Sequence, residues 1–217
     1  PMAAIKKEES AGSGRAGLFI VLEGIDGSGK TTAWEFLREA LASDADVIFL
    51  REPTNLPTGQ RLRACLQGKS PAPETDDGWM ELFLADRRAN VTENVIPALS
   101  QGKVIVQDRY IYSTAAYQSD NTDRAVELLE LQKEFPGPDG IIFLDLTPEQ
   151  ALQRIDSRSG SEGREHFETL DRLERIYANY QSILPENCHR VDAMKPALSV
   201  GQELLDMIQS LRSRMNV

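Results

Sequence analysis

Short apolar runs alternate with segments of helical periodicity along most of the chain. Four apolar runs predict strands, at residues 18–22, 46–50, 103–106 and 141–146, and a weak last strand is predicted near residues 189–192. Between them, the spacing of apolar residues predicts helices at 31–41, 58–67, 78–99, 123–135, 167–183 and 196–215, and another that begins after residue 147. Because strands and helices alternate, the pattern predicts an α/β fold, in which a five-stranded parallel sheet has helices on both faces.

Local signals at helix ends refine this prediction. Asp76 or Asp77 can cap the helix at 78–99, and Pro97 near its end predicts a kink. Residues 147–150 read Thr-Pro-Glu-Gln, which combines a capping hydroxyl, proline at the first helical position and an acidic residue in the first turn. This tetrapeptide therefore predicts the start of the helix that follows the fourth strand.

A glycine-rich segment separates the first predicted strand from the first predicted helix. Residues 24–31 read Gly-Ile-Asp-Gly-Ser-Gly-Lys-Thr, which matches the phosphate-binding loop G-x-x-x-x-G-K-[ST]. In this context the backbone N–H groups surround phosphate oxygens, the lysine supplies positive charge, and the hydroxyl of the last residue binds Mg²⁺. The motif predicts ATP binding by Gly24, Gly27, Ser28, Gly29, Lys30, Thr31 and Thr32.

Composition excludes several classes of protein. The net charge of −10 argues against nucleic-acid or anionic-membrane partners. The two cysteines and two histidines lack metal-ligand spacing, and no apolar run approaches the ~20 residues that span a bilayer. Residues 1–17 are polar, contain no apolar signal segment and predict a disordered tail. Together these features predict a soluble cytoplasmic protein with a single folded domain over residues 18–217.

Charged residues follow the second and third predicted strands. Arg51 and Arg109 should lie at the same edge of a parallel sheet as the glycine-rich loop, where two guanidinium groups can hold a second phosphate. Surface ion pairs are the alternative fate of these arginines. Asp108 ends a strand that fits a magnesium-binding Walker B pattern, but residues 141–145 fit it too. The pattern alone leaves Asp108 and Asp145 as alternatives.

Several longer segments resemble one family. In order and spacing, GIDGSGKTT, REP, LFLADR, DRYIYSTAAYQ and LDLTPEQAL resemble the thymidylate kinases over roughly residues 18–215. The resemblance implies a three-layer P-loop NTPase fold with a mobile lid at about residues 157–166. It also implies a homodimer that transfers the γ-phosphoryl group of ATP to dTMP, with Mg²⁺, to give dTDP for dTTP synthesis.

The resemblance also implies roles for individual residues around the acceptor nucleotide. Asp26 would lie near the sugar and acceptor phosphate, which Arg51 and Arg109 would grip. The base would meet the ring of Phe83, the guanidinium of Arg87 and the side chain of Thr114, while Tyr117 would crowd the 2′ position. Gln118 completes the last motif. The residues with implied catalytic roles are Asp26, Lys30, Arg109, Arg158 and Arg164.

The lid arginines are candidates for catalysis because the phosphate-binding loop of this chain differs from that of some family members. Some family members carry a catalytic arginine where this chain has Gly27, so Arg158 or Arg164 in the lid should supply that charge. A solvated loop without catalytic function is the alternative. A second departure follows the REP segment, where residues 54–59 read Thr-Asn-Leu-Pro-Thr-Gly and the bacterial relatives usually have Gly-Gly-Thr.

Competing functions remain at this point. A kinase of another nucleoside monophosphate, such as dUMP, would use the same residues. A nucleoside kinase would need a general base and would have no use for two arginines around an acceptor phosphate. A non-catalytic nucleotide switch is a different class, and the chain contains no guanine-reading Asn-Lys-x-Asp segment.

Overall fold

The computed structural model describes residues 17–159 and 169–215. Within these residues, five parallel strands form a single sheet with the spatial order β2-β3-β1-β4-β5. The strands are β1 (Leu18–Glu23), β2 (Val47–Arg51), β3 (Val104–Asp108), β4 (Gly140–Asp145) and β5 (His189–Asp192). The predicted five-stranded parallel sheet is confirmed.

Helices cover both faces of this sheet. They are α1 (Lys30–Ala40), α2 (Pro57–Leu66), α3 (Asp76–Asn90), α4 (Ile96–Ser100), α5 (Ile111–Tyr117), α6 (Thr122–Glu130), α7 (Pro148–Ser159), α8 (Leu170–Ile183) and α9 (Ala197–Met215). Helices α1 and α9 pack against each other and against strands, while α5, α6 and α8 form a second packed group. Every residue of β1 is buried, as expected for the central strand of a three-layer fold.

The order of the strands brings three strand ends together. In the registers of the sheet, Leu22 of β1 pairs with Asp108 of β3, and Asp108 pairs with Arg51 of β2. The chain leaves β1 directly into the glycine-rich loop and leaves β3 directly into Arg109. The loop, Arg51, Asp108 and Arg109 therefore meet at the carboxyl edge of the sheet, where ligands bind in open α/β folds.

The helix predicted at 78–99 is interrupted. Helix α3 ends at Asn90, a π-helical turn occupies Val91–Val95, and α4 begins at Ile96. Pro97 has no N–H and its ring displaces the carbonyl four residues earlier, which accounts for an irregular turn just before it. The predicted cap was wrong, because the hydroxyl of Thr75 accepts from the N–H of Gly78 and the two aspartates lie in the first turn.

The observed bounds of other helices can be compared with those predicted from the sequence. Helix α7 begins at Pro148 as predicted, and Thr147 and Gln150 exchange side-chain-to-backbone hydrogen bonds of 2.9 and 3.4 Å in a capping box. The helix predicted at 123–135 ends early, at Glu130. Helix α5 was not predicted at all, because nearly all of its residues are buried and it shows no amphipathic period.

Two predicted segments fall largely outside the described residues. The tail predicted at 1–17 contributes only Gly17 to the structure, and the lid predicted at 157–166 contributes only the last turn of α7. No helix within the described ranges combines the length and apolar character needed to cross a membrane.

Candidate active site

The glycine-rich loop owes its shape to three glycines and to its contact with α7. Gly24, Gly27 and Gly29 have positive φ angles of 148°, 82° and 89°, which other residues rarely adopt. A Cβ atom on Gly27 would lie 2.6 Å from the carbonyl oxygen of Ala151 in α7. The backbone of α7 therefore occupies the space that any side chain at position 27 would need.

Lys30 begins helix α1 and is buried inside the loop. Its Nζ donates to the carbonyl oxygens of Gly24 (2.6 Å) and Ile25 (3.0 Å) and to Ser28 Oγ (3.4 Å). Burial lowers the pKa of Lys30 to about 8, and the positive charge of Arg109 acts in the same direction. The loop thus holds an ammonium group at a helix N-terminus, at a lower proton affinity than a solvated lysine has.

Two oxygen atoms beside the loop are open to a cation. Thr31 follows Lys30 and is exposed, as is Thr32. Asp108 is buried, and its Oδ2 accepts from Arg51 Nη2 at 3.3 Å. Its other oxygen, Oδ1, has no hydrogen-bond partner among the described residues, which is costly for a buried carboxylate oxygen unless a ligand binds there.

The alternative carboxylate at the end of β4 is already occupied. Asp145 accepts from Tyr177 Oη at 3.0 Å and from Arg190 Nη1 at 3.0 Å. This arrangement favours Asp108 over Asp145 as a cation ligand. The described part of the chain contains no group of three or more histidine, cysteine or acidic side chains placed to hold a metal. A cation at Asp108 would therefore depend on phosphate oxygens and water, as Mg²⁺ commonly does.

Arg109 and Asp26 form the centre of the site. Arg109 Nη2 lies 2.5 Å from Asp26 Oδ1, and the guanidinium lies 4.9 Å from the ring centroid of Tyr117. Burial alone would raise the pKa of Asp26, but the charges of Arg109 and Lys30 outweigh it and hold that pKa below its usual value. Three residues named in the sequence analysis, from two separate segments, are thus brought together at the loop.

Arg51 reaches the same edge from β2. Its guanidinium lies 4.5 Å from the ring centroid of Trp34 and pairs with Asp108. The side chain keeps 38% of its surface exposed, so part of the guanidinium fork faces solvent. Both candidate arginines therefore form ion pairs, but their partners are carboxylates of the site itself.

Arg87 lies deeper than the sequence indicated. Its side chain is almost fully buried and pairs with Glu52 and Gln132, and its Nη2 donates to Thr114 Oγ1 at 3.0 Å. The Nε atom of Arg87 is buried without a partner within the described structure. The predicted proximity of Arg87 and Thr114 is observed, and one donor of the guanidinium remains uncommitted.

The remaining predicted residues surround this region. Phe83 lies one turn before Arg87 on α3, is half-buried, and lies outside the main core, whereas its neighbour Leu84 packs against that core. Gln118 ends α5, where its backbone N–H donates to Thr114 O at 3.0 Å. Arg158 lies in the last turn of α7, and Arg164 lies outside the described residues.

Two site residues were not singled out from the sequence. Arg154, on α7, lies 3.9 Å from the position of a Cβ on Gly29 and donates to Ala193 O at 2.5 Å. Its position one helical turn before Arg158 was the available signal. Asp86 accepts from the backbone N–H of Thr54 (2.8 Å) and from its hydroxyl (2.5 Å), which anchors the unusual 54–59 loop to α3.

The sheet order and the loop that opens α1 place the molecule among the α/β P-loop phosphotransferases. Within that class, the family model "Thymidylate kinase" matches residues 22–204. The chain belongs to the thymidylate kinase family.

Curated relatives agree with this assignment. The chain is 41% identical to a thymidylate kinase of Leptospira interrogans serovar copenhageni, over 88% of this chain and 93% of the relative. It is 40% identical to a thymidylate kinase of Xanthomonas oryzae pv. oryzae (85% and 79% covered). It is 36% identical to a probable thymidylate kinase of Archaeoglobus fulgidus (89% and 95% covered). These similarities extend over most of the folded chain.

Proposed function

We propose that this protein transfers the γ-phosphoryl group of ATP to dTMP, giving ADP and dTDP. The observation that carries the proposal is the pairing of Arg109 with Asp26 of the phosphate-binding loop, at 2.5 Å. This pair supports the proposal because it holds a guanidinium beside the loop that is expected to bind the triphosphate. Family membership and the names of the curated relatives supply the identity of donor and acceptor.

On the donor side, the backbone N–H groups of the loop and the ammonium of Lys30 would hold the β- and γ-phosphates. Thr31 and Asp108 fit Mg²⁺, because one offers an exposed hydroxyl and the other a buried oxygen with no partner in the described structure. These two residues would hold Mg²⁺, which would supply positive charge against the negative charge that develops on the phosphates.

On the acceptor side, Arg51 and Arg109 would hold the monophosphate of dTMP in line with the γ-phosphate. The acceptor is already an anion, so no general base is required. Alignment and charge neutralisation then carry most of the catalysis, as in other phosphoryl transfers. The separation of Asp26 from Arg109 by an incoming phosphate would leave Asp26 close to the sugar.

We assign recognition of the base to side chains of α3 and α5. The ring of Phe83 is available for stacking, and the free Nε of Arg87 is a donor for a base carbonyl. Thr114 lies beside that guanidinium. Tyr117 stands beside Arg109, where it would crowd a 2′-hydroxyl.

Some family members carry a catalytic arginine where this chain has Gly27. We assign the role of that arginine to residues of α7 and of the segment that follows it. The close approach of Ala151 to Gly27 leaves no room there for an arginine, which supports a role for Arg158 or Arg164. Arg154 already lies beside the loop and is a further candidate for contact with ATP. A homodimeric state and a cytoplasmic location stay predictions.

The decisive experiment is a coupled assay of MgATP with a panel of nucleoside monophosphates, including dTMP and dUMP. We expect dTMP to be the preferred acceptor, with ATP turnover negligible in its absence. Preference for dUMP would revise the substrate, and equal nucleotide turnover without any acceptor would favour a switch.

Arg109→Ala tests the acceptor site directly. We expect KM for dTMP to rise by about 100-fold, the order of a lost charge-assisted pair, while the affinity for ATP is retained. Arg212→Ala is a matched control, since Arg212 Nη1 also lies 2.5 Å from a half-exposed carboxylate, Asp44, on another part of the molecule. Unchanged kinetics for Arg109→Ala would refute the assignment of the acceptor site.

A further inference from the structure

The backbone of Arg109 adopts a conformation that its side chain disfavours. Its φ angle is 69°, and it is the only non-glycine residue with positive φ in the ranges that the structure describes. Such a conformation is unfavourable for a residue with a side chain and persists only when surrounding contacts impose it. The residues that impose it therefore determine where the guanidinium of Arg109 lies.

Three hydrogen bonds fix the backbone on both sides of Arg109. Its N–H donates to Leu22 O at 3.0 Å, and its carbonyl accepts from Gln107 Nε2 at 2.9 Å. The next N–H, that of Tyr110, donates to Glu23 Oε1 at 2.9 Å. Both peptide units that define the conformation of residue 109 are thus held by residues of β1 and β3.

Glu23 also acts on the side chain of Arg109. Its second oxygen, Oε2, accepts from Ser113 Oγ at 2.5 Å and from Tyr180 Oη at 3.0 Å. Ser113 Oγ in turn lies 3.4 Å from Arg109 Nη1. One carboxylate therefore orients the backbone through one oxygen and the guanidinium, by way of Ser113, through the other.

Glu23 makes these contacts entirely from the interior. Its side chain is fully buried, and both of its oxygens already accept hydrogen bonds from the protein. Burial raises the pKa of the Glu23 carboxyl, while its hydrogen-bond donors and the charge of Arg109 act in the opposite direction. A buried carboxylate is costly, and this one has a donor for each oxygen.

We propose that Glu23 is a positioning residue for the acceptor site, which holds Arg109 in the left-handed conformation that directs its guanidinium toward Asp26 and the acceptor phosphate. The proposal rests on the proposed function in one respect, the binding of the acceptor phosphate by Arg109. Glu23 itself touches neither substrate.

Glu23→Gln tests this role with little change in shape. The amide oxygen can still accept from Tyr110 N, but an NH₂ group replaces the acceptor that faces Ser113 and Tyr180. We expect KM for dTMP to rise by about tenfold, the order of one charge-assisted hydrogen bond, with KM for ATP within about twofold of the original.

Asp139→Asn is the matched control for loss of a structural carboxylate. Asp139 Oδ2 accepts from Phe19 N at 2.8 Å near the opposite end of β1, away from the site. We expect this variant to lose stability without a selective change in KM for dTMP. An equal rise in KM for dTMP in Asp139→Asn would overturn the specific role of Glu23.

A double-mutant cycle separates positioning from general stabilisation. In the Arg109→Ala background, Glu23→Gln should change KM for dTMP by less than about twofold, because the group that it positions is gone. Additive losses would overturn the proposal. If Arg109→Ala raises KM and Glu23→Gln alone does not, only the role of Glu23 fails; if Arg109→Ala has no effect, the proposed acceptor site fails first.

Gln107→Met provides a second test should Glu23→Gln fail to fold. It removes the donor to Arg109 O and keeps the side-chain length, so the same backbone is released from the other strand. We expect KM for dTMP to rise about three- to tenfold, and again to do so only when Arg109 is present. A loss that persists in the Arg109→Ala background would contradict the inference.

Discussion

Raising the pH from about 7.5 to about 9.5 should weaken the binding of ATP by roughly 25-fold, because only the ammonium form of Lys30 attracts phosphate. The pKa of Lys30 is held at about 8 by burial and by the charge of Arg109. With that pKa, the charged fraction falls from about three quarters to about one thirtieth over this range. A lysine with an ordinary pKa would change the affinity only about 1.1-fold.

The sign of the proton exchange gives an independent measurement. An anionic ligand beside Lys30 raises its pKa, so binding must take up a proton when the free protein has lost it. Isothermal titration calorimetry in two buffers of different ionisation enthalpy should show uptake that approaches one proton per ATP at the higher pH. Ionic strength and Mg²⁺ concentration are kept constant between the two conditions.

Lys30→Arg is the control for this prediction. The guanidinium stays protonated throughout the range, so the variant should bind ATP more weakly but with little dependence on pH. Equal affinity of the unsubstituted protein at both pH values, without proton uptake, would refute the reasoning. It would show that burial and Arg109 do not lower the pKa of Lys30.

Two further predictions concern the loop and the metal. Gly27→Ala should lower the free energy of unfolding in urea by about 2–4 kcal/mol, because Gly27 has a φ of 82° and a Cβ there would meet α7. Gly68→Ala is the control, because Gly68 has a φ of 66° and open space around it. It should lower the free energy of unfolding by only about 1 kcal/mol. Equal losses of stability in the two variants would show that α7 shifts at little cost to accommodate a Cβ at position 27. Asp108→Asn should raise the Mg²⁺ concentration for half-maximal activity by about tenfold, since one charge leaves the proposed site. An unchanged Mg²⁺ requirement would remove Asp108 from it.

The fold could be predicted because its signals are local. Four of the five strands are short apolar runs, and segments with helical periodicity lie between them. Helix α5 was not predicted, because nearly all of its residues are buried and it lacks the polar face of an amphipathic helix. The cap of α3 was misplaced by one or two residues because Thr75, Asp76 and Asp77 are all good capping residues, and only the backbone angles distinguish them.

In the candidate site, too, local features could be predicted from the sequence and long-range contacts could not. The glycine-rich loop is a continuous motif, and the sheet topology accounts for the meeting of Arg51 and Arg109. Arg87 was expected at a base carbonyl, but its pairing with Gln132 joins residues 45 positions apart in the chain, and no linear pattern encodes that contact. Glu23 was not singled out from the sequence, because its partners Ser113 and Tyr180 come from the distant helices α5 and α8.

Long-range hydrogen bonds also connect the two ends of the proposed acceptor site. Arg87, at the base end, pairs with Glu52. The Nδ2 of Asn90 donates both to Glu52 (3.0 Å) and to Gln107 (3.1 Å), and Gln107 Nε2 donates to the carbonyl of Arg109.

A continuous chain of hydrogen-bonded side chains thus runs from Arg87, proposed to contact the base, to the backbone of Arg109, proposed to bind the acceptor phosphate. Buried polar groups are costly unless every member is satisfied, so a change at one point in such a chain disturbs its neighbours. These hydrogen bonds couple the position of Arg87 to the backbone of Arg109. Such coupling suits an acceptor whose base and phosphate are themselves a fixed distance apart.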